Sequence, residues 1–462
     1  LTGNRLNAML AGMSSAEYQL LVGTQEGDPL CRAFTEKRGM HGGFTGSEIK
    51  PAQWQAAWNG LMAEEAQPGK RVAYIHIPFC RRRCLYCGFF QNYSDAELER
   101  AYIECLVREL QMAADTRYLS GAKLNAVFIG GGTPSSLSSL NAAKLLKALR
   151  AYLPLTNDYE LTLEARINDL IPEKMEIWLA HGVNRVSIGV QSFNTRVRRA
   201  VGRIDATEAI LNKLQLLSAY GQAAVIVDLM YGLPYQTMAV WLKDLQFLTR
   251  AAIDGWDLYQ LNVYETSALK AAIAAGRLPA AATVAGQAEM FAAAEAILAD
   301  HCFPRISVCH WSKSNRERNM YNTLTKSSLA VLPFGAGGGG RIGGVSLSLE
   351  RKVERYMNMI RQGDKPIAAM RQPHSGYSLQ KAVMGQIKQG YIDLGSLAGC
   401  HGSGIWELEP LLKIWERRGL LQTGARVAKL TVAGQFWYMN IARSILECLN
   451  ALDIHKSATK VE

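Results

Sequence analysis

The chain has 462 residues, of which 48% are hydrophobic and 20% charged, enough to bury a sizeable core and form more than one compact unit; disorder as the main state is excluded. Lys and Arg exceed Asp and Glu by 51 to 40, and the net charge of +11 favours an anionic ligand, nucleic acid or membrane surface without choosing among them. Nine cysteines, an odd number with three of them inside eight residues, point away from a secreted disulfide framework and toward a metal or redox site. With no long uncharged apolar run and no basic-then-apolar leader, the expectation is a cytoplasmic protein that does not insert into a membrane.

The first 70 residues read as an extension with helix-like segments, a glycine-containing stretch Gly39-Met40-His41-Gly42-Gly43, and a helical pattern from Ala52 to Glu65, expected to cover the unit that follows. From Arg71 onward, β-rich runs alternate with amphipathic stretches. The runs are Val72 to Phe79, Ala126 to Ile129, Tyr159 to Leu163, Val186 to Val190, Ala224 to Met230 and Leu258 to Val263. Helical patterns lie between them at Ala96 to Ala113, Leu140 to Leu153, Glu173 to Ala180, Ala206 to Ala219 and Met238 to Ala251. This alternation predicts an α/β fold with a parallel sheet and crossover helices. Six units are too few for a closed eight-fold barrel, so an open, partial (β/α)6 barrel is expected over residues 71–310, with its chemistry at the C-terminal strand ends.

Beyond Phe303 the alternation stops. Residues 311–375 read as a glycine-rich connecting segment near the active site, its centre Leu332-Pro333-Phe334-Gly335-Ala336 and Gly337 to Gly340 being loop-like, either closely approached backbone or a flexible linker. Residues 376–462 read as a C-terminal helical domain. There, a helix ending near Trp415, the turn Arg418-Gly419-Leu420-Leu421, a strand-like stretch to Thr431 and a helix from Gln435 to Leu449 resemble a winged helix. Its basic contacts Lys413, Arg417 and Arg418 are too few for the phosphate footprint of a nucleic-acid partner, so none is expected.

The strongest chemical signal is Cys80-Arg81-Arg82-Arg83-Cys84-Leu85-Tyr86-Cys87, at the end of the first predicted strand. Zinc usually takes four ligands in paired Cys-x-x-Cys units, and no fourth is evident here. Three thiolates on an iron–sulfur cubane leave one iron open for a substrate or cofactor, which makes the cluster the better reading, with zinc and three unrelated thiols behind it. Cys31, Cys105, Cys302, Cys309, Cys400 and Cys448 are scattered and read as ordinary thiols.

Tyr74-Ile75-His76-Ile77-Pro78-Phe79-Cys80 with the cysteine loop resembles the radical S-adenosylmethionine (SAM) superfamily, in its coproporphyrinogen-dehydrogenase-like branch. The resemblance continues, in order and at strand ends, through Gly130-Gly131-Gly132-Thr133-Pro134-Ser135, Arg185 to Phe193 and Asp228-Leu229-Met230-Tyr231-Gly232-Leu233-Pro234. It implies a 4Fe-4S cluster on Cys80, Cys84 and Cys87 and two SAM molecules. Tyr74, Gly131 and Glu164 match positions contacting the first; Tyr86, Gly132, Thr133, Gln191, Arg203 and Asp228 match positions contacting the second. Without the resemblance, Glu164 reads as a rim carboxylate, and Gln191, Arg203 and Asp228 as a hydrogen-bond network at the barrel mouth.

Where the dehydrogenases carry a fourth cysteine, this chain has Phe89, in Cys87-Gly88-Phe89-Phe90. That departure, the glycine-rich stretch from Leu332 to Gly340 and Asn315 to Asn322 resemble the anaerobic haem-utilisation branch. The resemblance implies haem as substrate and a methyltransferase that opens the ring without oxygen: a 5′-deoxyadenosyl radical from the first SAM takes hydrogen from the methyl group of the second, and the carbon radical adds to the porphyrin. Ring opening then gives a linear tetrapyrrole and frees iron. It further implies an external electron donor, of flavodoxin or NADPH type. Alternatives are a coproporphyrinogen dehydrogenase and a haem chaperone. Arg196, Arg198, Arg199 and Arg203 are candidates for the haem propionates, and His41 or His310 for axial ligation, with packing roles as the alternative for each. His76 reads as structural or cluster-proximal. Tyr93, Tyr264, Tyr321 and Cys309 are candidate hydrogen or proton sources, against an ordinary packing role.

Overall fold

A computed structural model of the chain describes residues 4–39, 46–89, 91–121, 123–327, 330–424 and 426–454. It divides into two compact units: Ser47–Ala281 with Trp311–Gln372, and Leu1–Gly46 with Ala282–His310 and Pro373–Glu462.

In the larger unit, strands β1 (Arg71–Ile77), β2 (Leu124–Gly131), β3 (Leu155–Ala165), β4 (Arg185–Gln191), β5 (Ala224–Tyr231) and β6 (Gly255–Gln260) lie side by side in chain order, every pair parallel. Helices α1 (Ala96–Ala114), α2 (Ser139–Tyr152), α3 (Pro172–Ala180), α4 (Thr207–Ala219) and α5 (Met238–Arg250) return the chain from one strand to the next. The strands are apolar runs because a parallel sheet is covered on its faces: Val72, Ile75, Val127, Ile129, Leu161, Val186, Ile188, Val225 and Val227 are fully buried. Side-chain caps start three of the five helices where the periodicity begins, Asp95 accepting from Leu98 N, Ser138 from Asn141 N and Thr237 from Val240 N. The sheet order is linear, so the barrel is open as expected.

Three elements differ from the expectation. Strand β3 begins at Leu155, four residues before the predicted run. Strand β6 begins at Gly255, three residues before the predicted run, because its register on β5 pairs Ile226 with Gly255 and buries Trp256 and Asp257; the acid within the run hid its start. The segment expected to be loop or linker contains β7 (Ala330–Phe334), which pairs parallel with β1 on the side away from β2, Tyr74 opposite Pro333. An antiparallel meander follows: β8 (Gly339–Ile342), β9 (Val345–Leu349) and β10 (Ile367–Arg371). Proline and glycine masked the strand. Gly335, at φ +87°, passes so close to the His76 carbonyl that any side chain would collide with it.

The end of β7 is tied down by a buried carboxylate. Glu109 accepts from Gly335 N at 2.8 Å, Tyr356 Oη at 2.6 Å and Lys365 Nζ at 2.8 Å, while Lys365 also donates to Pro333 O at 2.7 Å. Tyr102 Oη donates to His76 O at 2.7 Å and accepts from Ala336 N at 3.0 Å. Residues 311–372 are therefore part of the barrel unit.

The expected extension over 1–70 is likewise divided. Only Ser47 onward, with helix Trp54–Ala63 burying Trp58 and Met62, belongs with the barrel. The preceding segment packs on the C-terminal residues in the smaller unit: Arg38 pairs with Glu447 at 2.5 Å, Trp437 Nε1 donates to Leu30 O at 2.9 Å, and Asn440 Nδ2 to Glu36 O at 2.9 Å. That unit also holds helices Tyr377–Lys388, Leu394–His401, Glu409–Arg417 and Tyr438–Ala451 around a small antiparallel sheet of Tyr391–Ile392, Ala428–Leu430 and Leu421–Thr423, the helix-and-wing order read from the sequence. No described helix is long and apolar enough to cross a membrane.

Candidate active site

The cysteine loop leaves β1 through Pro78. Its ends are held by a short parallel pairing of Phe79–Cys80 with Asn92–Tyr93, and by two backbone bonds from the tail of β2, Gly132 N to Ile77 O at 2.7 Å and Thr133 N to Phe79 O at 2.8 Å. Cys80 and Cys84 are buried and Cys87 is half-buried. Cys80 Sγ lies 3.3 Å from Thr133 Oγ1 and accepts from Arg166 Nη2 at 3.7 Å, and Cys87 Sγ accepts from Phe89 N at 3.3 Å. Burial raises the Cys80 thiol above its ordinary pKa. At Cys84 burial acts in the same sense, but the cations Arg203 and Arg166 outweigh it and hold the thiol below its ordinary value. Among the described residues, no three His, Cys, Asp or Glu side chains form a group that would hold a single metal ion as placed. A cubane binds each thiolate through a different iron, so three cysteines on one loop need not meet at a point, and an all-thiol donor set beside two arginines suits such a cluster.

The glycine tail of β2 lies against the same loop. A Cβ on Gly132 would stand 2.5 Å from Phe79 O, and one on Gly131, at φ +107°, 2.6 Å from the His76 ring. Gly131 N donates to Glu164 Oε2 at 3.2 Å. Tyr74 Oη is 3.1 Å from His76 Nδ1, and Gln91 Nε2 is 3.3 Å from His76 Nε2. Burial first, then the charge of Arg351, lowers the His76 pKa to about 4, so the ring is neutral near pH 7. Tyr74, Phe128 and Tyr321 form an aromatic wall, with ring centroids 4.8 Å apart for Phe128 and Tyr321.

Burial, reinforced by the charge of Asp228, raises the Glu164 pKa to about 8. Because the folded-state value is raised, Glu164 favours the fold most below its unfolded value near 4.5, and that contribution is lost as pH rises through 8. Glu164→Gln removes this loss. The melting temperature of the cofactor-free variant should gain on the wild type as pH is raised from about 5 to about 8, then run parallel; a gap independent of pH in that window would show that Glu164 is not the source.

At the ends of β4 and β5 the remaining residues meet. Arg203 Nε donates to Tyr86 Oη at 3.2 Å and Arg203 Nη1 to Gly189 O, which ties the cysteine loop to β4. Ser187 Oγ donates to Asp228 Oδ1 at 3.3 Å. Gln191 adopts φ +73°, rare for a residue with a side chain, where the register with β5 shifts between Gly189 and Gln191. Its Oε1 is buried without a hydrogen-bond partner. An unsatisfied acceptor at a strained position facing a cluster of polar strand ends is what a ligand donor would complete.

Of the candidate ligand residues, Gly131, Glu164 and Gln191 lie at C-terminal strand ends, Cys80, Cys84, Tyr86, Cys87, Gly132 and Thr133 on or beside the segments that follow β1 and β2, Tyr74 and Asp228 within β1 and β5, and Arg203 after the helix Thr195–Ala200. Arg166, two residues beyond Glu164, was not singled out from sequence, although its position just past a strand end was legible. Arg198 is a correction among the propionate candidates: it is buried, paired with Asp205 at 3.1 Å and bonded to Val190 O, because it braces the turn after β4. Arg196 lies over the Tyr235 ring at 4.1 Å, and Arg199 is exposed. His310 is wholly buried. His41 and Phe90 lie outside the described residues.

Residues 74–248 match the radical SAM superfamily. Over 424 residues, 91% of this chain and 94% of the relative, the sequence is 34% identical to an anaerobilin synthase of Escherichia coli O157:H7. It is 28% identical to a haem chaperone of Bacillus subtilis, over 79% of this chain and 96% of that one. The coproporphyrinogen III oxidase structure from Escherichia coli, a radical SAM enzyme, superposes with a TM-score of 0.73 at 20% identity, over 87% of this chain and 94% of that one, a likeness of fold. The match over residues 74–248 and the 34% identity over nearly the whole of both chains show that the chain belongs to the radical SAM superfamily and, within it, to the anaerobilin synthase family.

Proposed function

We propose that this chain is a cytoplasmic radical SAM C-methyltransferase that opens haem without oxygen, giving a methylated linear tetrapyrrole and free iron. The observation that carries the reading is the three-cysteine loop, with Phe89 in the place of a fourth cysteine, in a chain alike to an anaerobilin synthase over nearly its whole length. When bound, a 4Fe-4S cluster and SAM supply the one-electron reduction and carbon-radical chemistry; the chain supplies the holding and the shielding. Cys80, Cys84 and Cys87 hold the cluster, with Arg166 and Arg203 balancing thiolate charge. Tyr74, Gly131 and Glu164 receive one SAM, the glycine presenting backbone where a side chain has no room and the carboxyl accepting from ribose hydroxyls. Tyr86, Gly132, Thr133, Gln191, Arg203 and Asp228 would receive a second, Gln191 Oε1 being an acceptor left open to a ligand donor. Thr133 and Gln191 are buried and the other contacts half-buried, which limits the water that reaches the site.

The likeness to a haem chaperone over four-fifths of the chain favours a second reading, haem binding without turnover. One experiment separates them. The cluster is reconstituted anaerobically, haem, SAM and a reductant are added, and products are analysed by mass spectrometry. A methylated linear tetrapyrrole with iron release is expected. Unaltered, tightly bound haem would favour the chaperone reading, and a vinyl-bearing product from coproporphyrinogen the dehydrogenase. SAM titration should saturate at two per cluster; saturation at one would remove the second site.

A further inference from the structure

Between the buried ligands Cys80 and Cys84 the chain exposes three consecutive arginines, Arg81, Arg82 and Arg83. Turning two thiols inward forces the residues between them outward, but the geometry does not require charge there; small polar residues meet it equally well. Arg81 reaches Asp169 at 3.7 Å and Ser136 O at 3.3 Å, yet its side chain stays 55% exposed. Beside the loop lies a cleft of about 230 Å³ with five arginines and two aspartates on its walls. Asp169 faces Arg81, Asp205 is taken by Arg198, and Arg166 and Arg203 face the thiols of Cys80 and Cys84, so the charge that the cleft's acids and thiols leave over is that of Arg82, beside the exposed Arg81 and Arg83. Arg166 also links the surface to the interior: Nη1 donates to Arg82 O at 2.9 Å and Nη2 reaches Cys80 Sγ at 3.7 Å. A single guanidinium joins exposed backbone to a ligand thiol.

We propose that the Arg81–Arg83 face is where an acidic, flavodoxin-type electron carrier docks. The inference rests on reading the loop as the cluster site. A short route matters because electron transfer slows steeply with distance, and a cationic rim around that route draws in and orients an anionic carrier. The step balances: the anionic flavin hydroquinone gives up one electron and becomes the neutral flavin radical, no proton is released, and the cluster is reduced by that electron.

The test uses reconstituted full-length protein and a flavodoxin. Arg82→Glu with Arg83→Glu is compared with Lys147→Glu with Arg250→Glu, an equal charge change on exposed residues of α2 and α5, toward the N-terminal ends of the strands. Both variants should keep wild-type iron and wild-type photoreduction by a deazaflavin. Only the first should lose affinity for oxidised flavodoxin, by about tenfold or more at low salt, with a flatter salt dependence and slower cluster reduction by the hydroquinone. Equal behaviour of the two variants, or a wild-type affinity insensitive to salt, overturns the proposal. So does loss of haem affinity with flavodoxin binding intact, which would give the face to the substrate's carboxylates. If the charge-reversed pair fails to hold iron, Arg82→Gln with Arg83→Gln is read in its place, a partial loss being expected and none being contrary. A wild-type protein that holds no iron would instead overturn the cluster reading.

Discussion

Replacing Cys80 with alanine is expected to remove essentially all cluster iron and sulfide and to abolish reductive cleavage of SAM, while the barrel stays folded. Three thiolates are the minimum that positions a cubane with one open iron, and two cannot hold it against exchange. The cost to the fold is small, since one buried sulfur is deleted: about 1 kcal/mol from the lost contacts with Thr133 and Arg166, against a core that includes the fully buried Val72, Ile75, Val127 and Ile129 of β1 and β2. Cys84→Ala should behave alike and in addition leave the Arg203 and Arg166 cations without their thiolate. Cys105→Ala, at a buried thiol on α1 outside the loop, is the comparison and should retain full iron. The measurements are iron and sulfide content with the visible spectrum of anaerobically purified protein, beside circular dichroism. An unchanged metal content in Cys80→Ala would end the central assignment.

The second large effect is expected at Gly132. An alanine there brings Cβ within 2.5 Å of Phe79 O and 2.9 Å of Ile77 O, both backbone atoms of the segment that delivers Cys80. Neither can rotate aside, so the chain must shift, at about 1–3 kcal/mol of stability for overpacking. The bonds Gly132 N to Ile77 O and Thr133 N to Phe79 O are lost or lengthened with it. SAM affinity should fall about tenfold or more, since near 1.4 kcal/mol of misplacement is already a factor of ten. Gly60→Ala gives the opposite sign. In helix Trp54–Ala63 a Cβ at Gly60 meets nothing within 4 Å, and the substitution should stabilise by about 0.5–1 kcal/mol. Thermal unfolding and calorimetric SAM titration check both. Wild-type SAM affinity in Gly132→Ala would show that the glycine tail is not part of the cofactor site.

The sequence by itself determined the elements whose code is local. Four of the six barrel strands and all five crossover helices fall within two residues of the hydrophobic periods that announce them, because period acts over one or two turns. The cysteine loop was legible for a related reason: its thiols are adjacent in the chain, and the glycine tail and strand-end polar residues follow at the ends of those same strands. Tertiary structure alone decided the rest. That Ala330–Phe334 is a strand depends on β1 offering a free edge, a fact no window of Leu-Pro-Phe-Gly contains. Leu1–Gly46 joins the C-terminal residues through Arg38, Trp437 and Asn440, partners some four hundred residues apart. Arg198 and Arg203 stand five residues apart in one arginine-rich stretch and look alike, yet one is spent on Asp205 and Val190 O and the other reaches Tyr86 and Gly189 O, partners that only the packing brings within reach. Local propensity writes the elements; which side chains are left free for chemistry is settled by which long-range partners the packing brings within hydrogen-bond reach.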